Sequence, residues 1–367
     1  MTVMDAKMFG KVIGELIQKK SLDRSECRHM FLEILGNTQS EMQQGAFLAA
    51  LAAKGETVEE IAGVWEAIYE LDTVQVKPGS NLELTENSGT GMDTFKTFNI
   101  STAASVIAAT AGTTLARHGA RAITSSCGTV DMLEALGVDV ECEPHTVIQS
   151  IEQAGVGIFN GMSPRVHPMA LGRILSQISF GTVLNIAASL ANPALPVYGV
   201  RGVYSPDLLQ MVPQLMHEIG YKRALVVNGL VEGSKDTMDE ASTLGETLVA
   251  ELQEDGSIKH YSFYPDQLGI KAADPDLLRP SGSLQQETVG MVALLSGDGC
   301  PARSDIAALN AGLILYTTKH AKTIKEGYHS ALDIIKSGVC LNKLTEWVRV
   351  QNDDPEAGLA RLNSCIH

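Results

Sequence analysis

Residues Ser88 to Thr102, SGTGMDTFKTFNIST, join a glycine-containing turn to a capped, small-residue helix. Gly89 and Gly91 let the backbone turn tightly and bring its N–H groups close to a ligand. Asn99, Ser101 and Thr102 then offer side-chain donors at a predicted helix N-terminus, where unpaired amides and the helix dipole favour anions. The physical reading is a cradle for a phosphate or diphosphate. Asp93 is too acidic to touch the phosphate and suits sugar hydroxyls or a metal ion instead. A lone Gly-x-Gly is usually an ordinary strand–turn–helix connection. Here fifteen consecutive residues agree.

Outward from the cradle the pattern alternates. Leu82 to Thr85 reads as a short strand, Ser101 to about Ala111 as a helix, and Thr113 to Ala116 as a strand ending in Arg117-His118-Gly119-Ala120-Arg121. A second Ser/Thr-rich turn, Ile123 to Asp131, places Thr124, Ser125, Gly128 and Thr129 at another helix start. Two such anion sites suit a ligand with phosphates at both ends. Helices over Pro144–Ala154, His167–Ile178 and Pro206–Ile219 alternate with strands over Val156–Phe159, Val197–Val200 and Ala224–Val227. This predicts an α/β domain whose mainly parallel central sheet is flanked by helices. Asp239-Glu240 is a reasonable site for a hard cation, which takes one or two carboxylates and leaves room for substrate phosphates. Taken alone, such pairs are mostly solvated surface. Thr247–Leu252 and Lys259–Phe263 predict a hairpin, Ser283–Val348 reads as helical, and QNDDPEAG beyond it as an exposed tail.

The opening is different. From about Lys7 to Asp72 only helical periodicity is present, with Ser21 as a cap and capping-box spacing at Thr38/Glu41 and Thr57/Glu60. The run AFLAALAA, Ala46 to Ala53, is apolar nearly all round and predicts burial in a core or against a partner chain. Pro78-Gly79 marks the change to the α/β part. The expected domains are a small all-helical one at 1–73, with helices from about 166–190 docking on it, and a larger α/β one at 74–165 and 191–367.

Composition bounds the function classes. The 367 residues carry a net charge of −15, which opposes non-specific attraction to nucleic acid and to anionic membrane. Six scattered cysteines lack C-x-x-C spacing and read as reduced thiols. With no apolar leader and no membrane-length apolar run, the expectation is a soluble, cytoplasmic protein.

The cradle, the Arg-His-Gly-x-Arg turn, VDMLEALGV, Asn192-Pro193 and Met238-Asp239-Glu240, in this order, resemble anthranilate phosphoribosyltransferases over about Phe9 to Val348. The resemblance implies a homodimer contacting through the N-terminal helices and an active site between the two domains. It implies transfer of the 5-phosphoribosyl group of phosphoribosyl diphosphate (PRPP) to an aromatic amine, with Mg²⁺ (two ions with PRPP) and release of pyrophosphate. It assigns Gly89, Thr90, Gly91, Asp93, Asn99, Ser101, Thr102, Arg117, Thr124 and Ser125 to PRPP, and Ser101, Asp239 and Glu240 to the metal. No covalent nucleophile is expected, and Cys127 reads as a neutral packing thiol.

The departures fall on the acceptor side and in the cradle. Met92 and Thr94 replace two glycines of the family's Gly-Thr-Gly-Gly-Asp-Gly, and Arg117 stands in place of a lysine. Ala120 and Gly181 occupy the positions of an asparagine and an arginine that contact anthranilate, leaving His118 and His167 as polar groups at the acceptor end. Loss of a carboxylate-pairing arginine should weaken anthranilate binding unless Arg121, Arg165 or Arg173 compensates. Anthranilate, for tryptophan biosynthesis, is the family default, and a different aromatic acceptor is at least as strong an expectation. The alternatives are a nucleoside phosphorylase-like enzyme and a non-catalytic nucleic-acid-binding homologue. Asp239-Glu240 and Asn-Ile-Ser-Thr favour the diphosphate substrate over the former, and the acidic net charge weighs against the latter.

Overall fold

The computed structural model describes residues 4–79, 82–121 and 127–366. The chain divides into two compact units, Met1–Gln75 with Gly161–Leu195 and Val76–Asn160 with Pro196–His367. The first is all-helical. The second is α/β.

The helical unit opens with α1 (Ala6–Ile17), α2 (Arg24–Leu35), α3 (Glu41–Lys54) and α4 (Val58–Leu71). Phe9, Phe31 and Phe47 meet edge-on or tilted at its core, with ring centroids about 6 Å apart. Thr57 and Glu60 form the expected capping box on α4. Two other caps fall on neighbouring residues. Asp23 caps α2 in a box with Glu26, while the Ser21 hydroxyl takes a hydrogen bond from Lys54 Nζ. Ser40 caps α3, because the Thr38 hydroxyl is drawn to Glu33. The expected helix at His167–Ile178 shrinks to Leu171–Leu175. Its start is fixed by the buried Asp72 carboxylate, which accepts the amides of Met169, Ala170 (2.9 Å) and Leu171 (2.7 Å).

The α/β unit is built on one sheet. Its strands are β1 (Thr85–Gly89), β2 (Leu115–Gly119), β3 (Val156–Asn160), β4 (Tyr198–Gly202), β5 (Arg223–Leu230), β6 (Thr237–Met238), β7 (Thr247–Leu252) and β8 (Ile258–Phe263). The order is β3-β2-β1-β4-β5-β7-β8, with β6 on β5. The first five in that order run parallel, and β6, β7 and β8 are antiparallel additions. The expected hairpin is β7–β8. Between β1 and β2 runs α5 (Ile100–Thr110), whose alanines pack it closely against the helix Pro301–Thr317. Helix α6 (Thr129–Ala135) follows β2.

The strands near the cradle sit later in the sequence than their composition suggests. β1 extends through Gly89, so the turn starts at Thr90, and β2 contains Arg117 and His118. Register explains it: Glu86 to Gly89 pair with Gly199 to Gly202 of β4, and Arg117 to Gly119 pair with Ile158 to Asn160 of β3. The stretch expected to be an exposed tail is also anchored. The fully buried Gln351 side chain accepts from the Ile158 amide and donates to its carbonyl, and the helix Pro355–Ser364 follows.

Candidate active site

At the C-terminal end of β1 the chain turns through Gly91 and Met92, both at φ +69°, and reaches Asp93. The loop is fastened on two sides. The Thr94 and Phe95 amides donate to the Thr237 carbonyl (3.1 and 3.0 Å), and the Thr237 amide donates to Thr94 Oγ1 (2.9 Å). On the other side the Phe98 amide donates to the Leu278 carbonyl, and Arg279 and Arg303 stack over the Phe95 and Phe98 rings.

That fastening sets Asp239, just beyond β6, against the end of β1. The Gly91 amide donates to Asp239 Oδ2 (2.7 Å), and the carboxylate fills the space where a Gly89 side chain would stand. The Asp239 backbone carbonyl fills the equivalent space at Gly202. Two glycines on neighbouring strands thus admit one aspartate. The expectation that Gly91 brings its amide to a ligand needs correction here. The Thr90 and Gly91 amides are engaged by the Gly202 carbonyl and by Asp239.

Among the described residues, Asp93, Asp239 and Glu240 bring carboxylate oxygens within 4.8 Å of one another. Burial pushes the Asp93 carboxyl up to about 6, and the charge of Asp239 pushes it the same way. Glu240 is raised well above the carboxylate range by burial and by Asp239 and Asp93. Among the described residues its Oε2 is sealed from solvent and has no hydrogen-bond partner. Three crowded carboxylates with an unmet oxygen form a donor set that fits a hard divalent cation.

At the start of α5, Asn99 is the N-cap residue but makes no side-chain cap; its amide group instead donates to the Cys127 carbonyl and contacts Cys127 Sγ at 3.4 Å. Burial raises the Cys127 thiol to about 11, in keeping with a packing role. Ser101 is part-exposed in the first turn, and buried Thr102 accepts a hydrogen bond from Arg117 Nη1 (3.1 Å). Arg117 is not at a turn but inside β2, 2% exposed, its guanidinium pulled down to about 10 by burial. Thr124 and Ser125 lie outside the described residues. At α6 the Gly128 amide is taken by Asp131 (3.0 Å).

The expected acceptor residues are distributed over both units. His118 is buried on β2 and Ala120 is exposed just after it. In the helical unit Gly181 is exposed, while His167 is buried, its Nδ1–H donating to the Asp72 carbonyl at 2.5 Å. Burial lowers the His167 pKa, so the ring is held neutral. Arg121 is committed to Asp131, Glu134 and Glu141, and Arg173 to Gln44 and the Ile34 carbonyl.

Two cationic residues escaped the sequence reading. Lys96 Nζ sits 2.8 Å from Asp93 Oδ1. Arg201, 2% exposed on β4, donates to Ser88 Oγ beside the cradle. Lys96 was visible as a cation three residues after the acid of the turn. Arg201 gave no signal, because a charged residue in an apolar strand run reads as an edge.

Comparison with known proteins agrees with this architecture. Residues 81–341 match the glycosyl transferase family a/b domain, and residues 11–71 match its helical bundle domain. An anthranilate phosphoribosyltransferase of Methanothermobacter marburgensis is 33% identical over 348 residues, spanning 92% of this chain and 97% of the relative. The crystal structure of the Thermus thermophilus anthranilate phosphoribosyltransferase is similar with TM-score 0.81 and 29% identity, over 95% of this chain and 99% of that one. The Saccharomyces cerevisiae enzyme in complex with PRPP and Mg shares the fold at TM-score 0.79 and 21% identity, over 95% and 98% of the two chains. Among the described residues no helix is long and apolar enough to cross a membrane. The chain belongs to the anthranilate phosphoribosyltransferase family of glycosyl transferases and is an enzyme of that class.

Proposed function

We propose that this enzyme transfers the 5-phosphoribosyl group of PRPP to anthranilate, releasing pyrophosphate, as a cytoplasmic step of tryptophan biosynthesis. The observation that carries the proposal is the Asp93–Asp239–Glu240 cluster beside the β1 turn and the N-terminus of α5. A Mg²⁺ held by these carboxylates would neutralise charge on the departing pyrophosphate. In this reading the Gly89–Gly91 turn acts by seating Asp239, and the Ser101 and Thr102 amides of α5, with the Ser101 hydroxyl, receive diphosphate oxygens, the Ile100 amide being taken by the Phe98 carbonyl. Arg117 supports Thr102 from beneath and contributes a buried positive charge. Asp93 faces the ribose hydroxyls or the metal. With the anion held on one side, the chain needs no nucleophile; alignment of the amine on the anomeric carbon supplies the rest.

The relatives reported above are anthranilate enzymes, and they give a different aromatic acceptor no support despite Ala120 and Gly181. We also infer a homodimer, with a second copy covering the exposed apolar side chains Met8 and Ile17 of α1 and Met42 of α3. The test is pyrophosphate release from PRPP and Mg²⁺ with anthranilate, against other aromatic amines and a no-acceptor blank. Anthranilate-dependent release supports the proposal; release with another amine but not anthranilate overturns the acceptor. Light scattering on the wild type and Ile17→Glu tests the dimer.

A further inference from the structure

We propose that Lys96 is a built-in competitor for the cation at the Asp93–Asp239–Glu240 cluster, occupying Asp93 until a divalent ion arrives with a diphosphate. The proposal rests on the reading of that cluster as a metal site.

The geometry has three parts. First, the ammonium lies 2.8 Å from Asp93 Oδ1, and the Asp93 side chain is only 10% exposed, so the pair occupies one of the cluster's few outward oxygens. Secondly, the backbone on either side of Lys96 is pinned. Phe95 and Phe98 are buried, each ring lies under an arginine, and each amide is bonded to a neighbouring segment. Thirdly, the Lys96 side chain is 39% exposed, so a fixed base carries a stem with room to swing. Its charge also acts on Glu240, the member of the cluster with an unmet oxygen.

An ammonium and a divalent cation at one carboxylate repel each other and compete for the same lone pairs. A bare ion must therefore evict Lys96 into water. An ion that arrives with a diphosphate brings excess negative charge, which gives the released ammonium a new partner. Metal and diphosphate should then bind with positive coupling, and Lys96 carries part of that coupling.

The experiment titrates Mn²⁺ into the full chain, reading free Mn²⁺ by electron paramagnetic resonance, with and without pyrophosphate, each pyrophosphate titration being referred to a protein-free blank that accounts for the Mn²⁺ held by pyrophosphate itself. Wild type is compared with Lys96→Met, Lys96→Gln and Lys96→Arg, each checked for folding by circular dichroism. Lys96→Met and Lys96→Gln should bind bare Mn²⁺ about three- to fivefold more tightly, the scale of losing one partly exposed ion pair. Lys96→Arg should stay within about twofold of wild type, and pyrophosphate should tighten Mn²⁺ less in the neutral variants than in wild type. Equal or weaker bare Mn²⁺ binding in both neutral variants overturns the role of Lys96. Asp239→Asn separates the two layers: if it leaves wild-type Mn²⁺ binding unchanged, the metal-site reading itself falls, and this inference with it.

Discussion

The carboxylate of Asp239 occupies the volume that a side chain on Gly89 would need, although the two residues are separated by most of the sheet's connectivity. The contact brings the strand that ends in the cradle and the loop that follows β6 to one point. It also makes Gly89 a steric requirement rather than a flexible hinge.

Gly89→Ala should therefore act through Asp239. The added methyl cannot coexist with the carboxylate, so either the aspartate swings away or β1 shifts. Overpacking of this kind costs about 1–3 kcal/mol. The expected phenotype is a folded protein with at least about a hundredfold lower kcat/KM for PRPP, if a cluster contact of about 3 kcal/mol is lost. Steady-state kinetics with a thermal melt decide it, and a variant with wild-type kcat/KM would refute the steric coupling.

The crowded carboxylates predict an unusual pH response in the metal-free protein. Asp93 is pushed up to about 6 and Glu240 is also raised, so the folded state holds these protons more tightly than the unfolded chain. Their contribution to stability therefore rises as pH falls through about 6 toward the unfolded value near 4, and is unfavourable above that window. In chelator, Asp93→Asn should be more stable than wild type at pH 7.5 by about 1 kcal/mol, a figure that already includes the Lys96 pair and is scaled down from the full shift because solvent screens part of it. The gap should fall to about half by pH 5 and close only below about pH 4, the unfolded value. Urea titrations at both pH values test the sign; a gap that widens on acidification would contradict it. Divalent-ion affinity of the wild type should fall over the same interval, because protons and metal share the oxygens.

Met92 stores strain in the same turn. Its φ of +69° is a left-handed conformation that costs a residue with a side chain roughly 1–2 kcal/mol. Its side chain is 44% exposed and recovers little by packing. Met92→Gly should raise stability by about 0.5 kcal/mol after the extra entropy of an unfolded glycine is counted, and Met92→Val should lower it by about 1 kcal/mol. Denaturant midpoints would show the ordering Gly, Met, Val. Any other order would mean that the loop relaxes on substitution.

The legible parts of this chain were those set by local chemistry. The helical periodicity of the opening, the Thr57–Glu60 box, the β7–β8 hairpin and the alternation of the α/β unit all follow from neighbours in sequence. The cradle was read as one motif because its glycines, acid and helix start are contiguous. What escaped depends on partners far along the chain. β1 and β2 run later than their composition suggests because β4 and β3 set their register. The Thr90 and Gly91 amides looked available until Gly202 and Asp239, more than a hundred residues away, were found to take them. The anchoring of Gln351 on β3 likewise gave no local sign.

Asp72 shows the same distance effect and yields the last prediction. Its buried carboxylate accepts the amides of Met169, Ala170 and Leu171, and its carbonyl receives the His167 Nδ1–H. One residue at the end of α4 thus holds the whole entry to the Leu171–Leu175 helix, a task the expected helix start at His167 would have left to local caps. Asp72→Ala strands three amides in a buried setting and should cost about 3–5 kcal/mol. The loss should be local first: amide exchange at 169–171 should accelerate before that of β1 to β5 changes. Losing the Asp72 carboxylate, whose charge opposes burial at His167, should also move that histidine further below the ordinary range than in the wild type as long as the ring stays buried. Hydrogen exchange and histidine NMR titration measure both. A cost under about 1 kcal/mol with unchanged exchange at 169–171 would show that other groups satisfy those amides and that Asp72 is not their anchor.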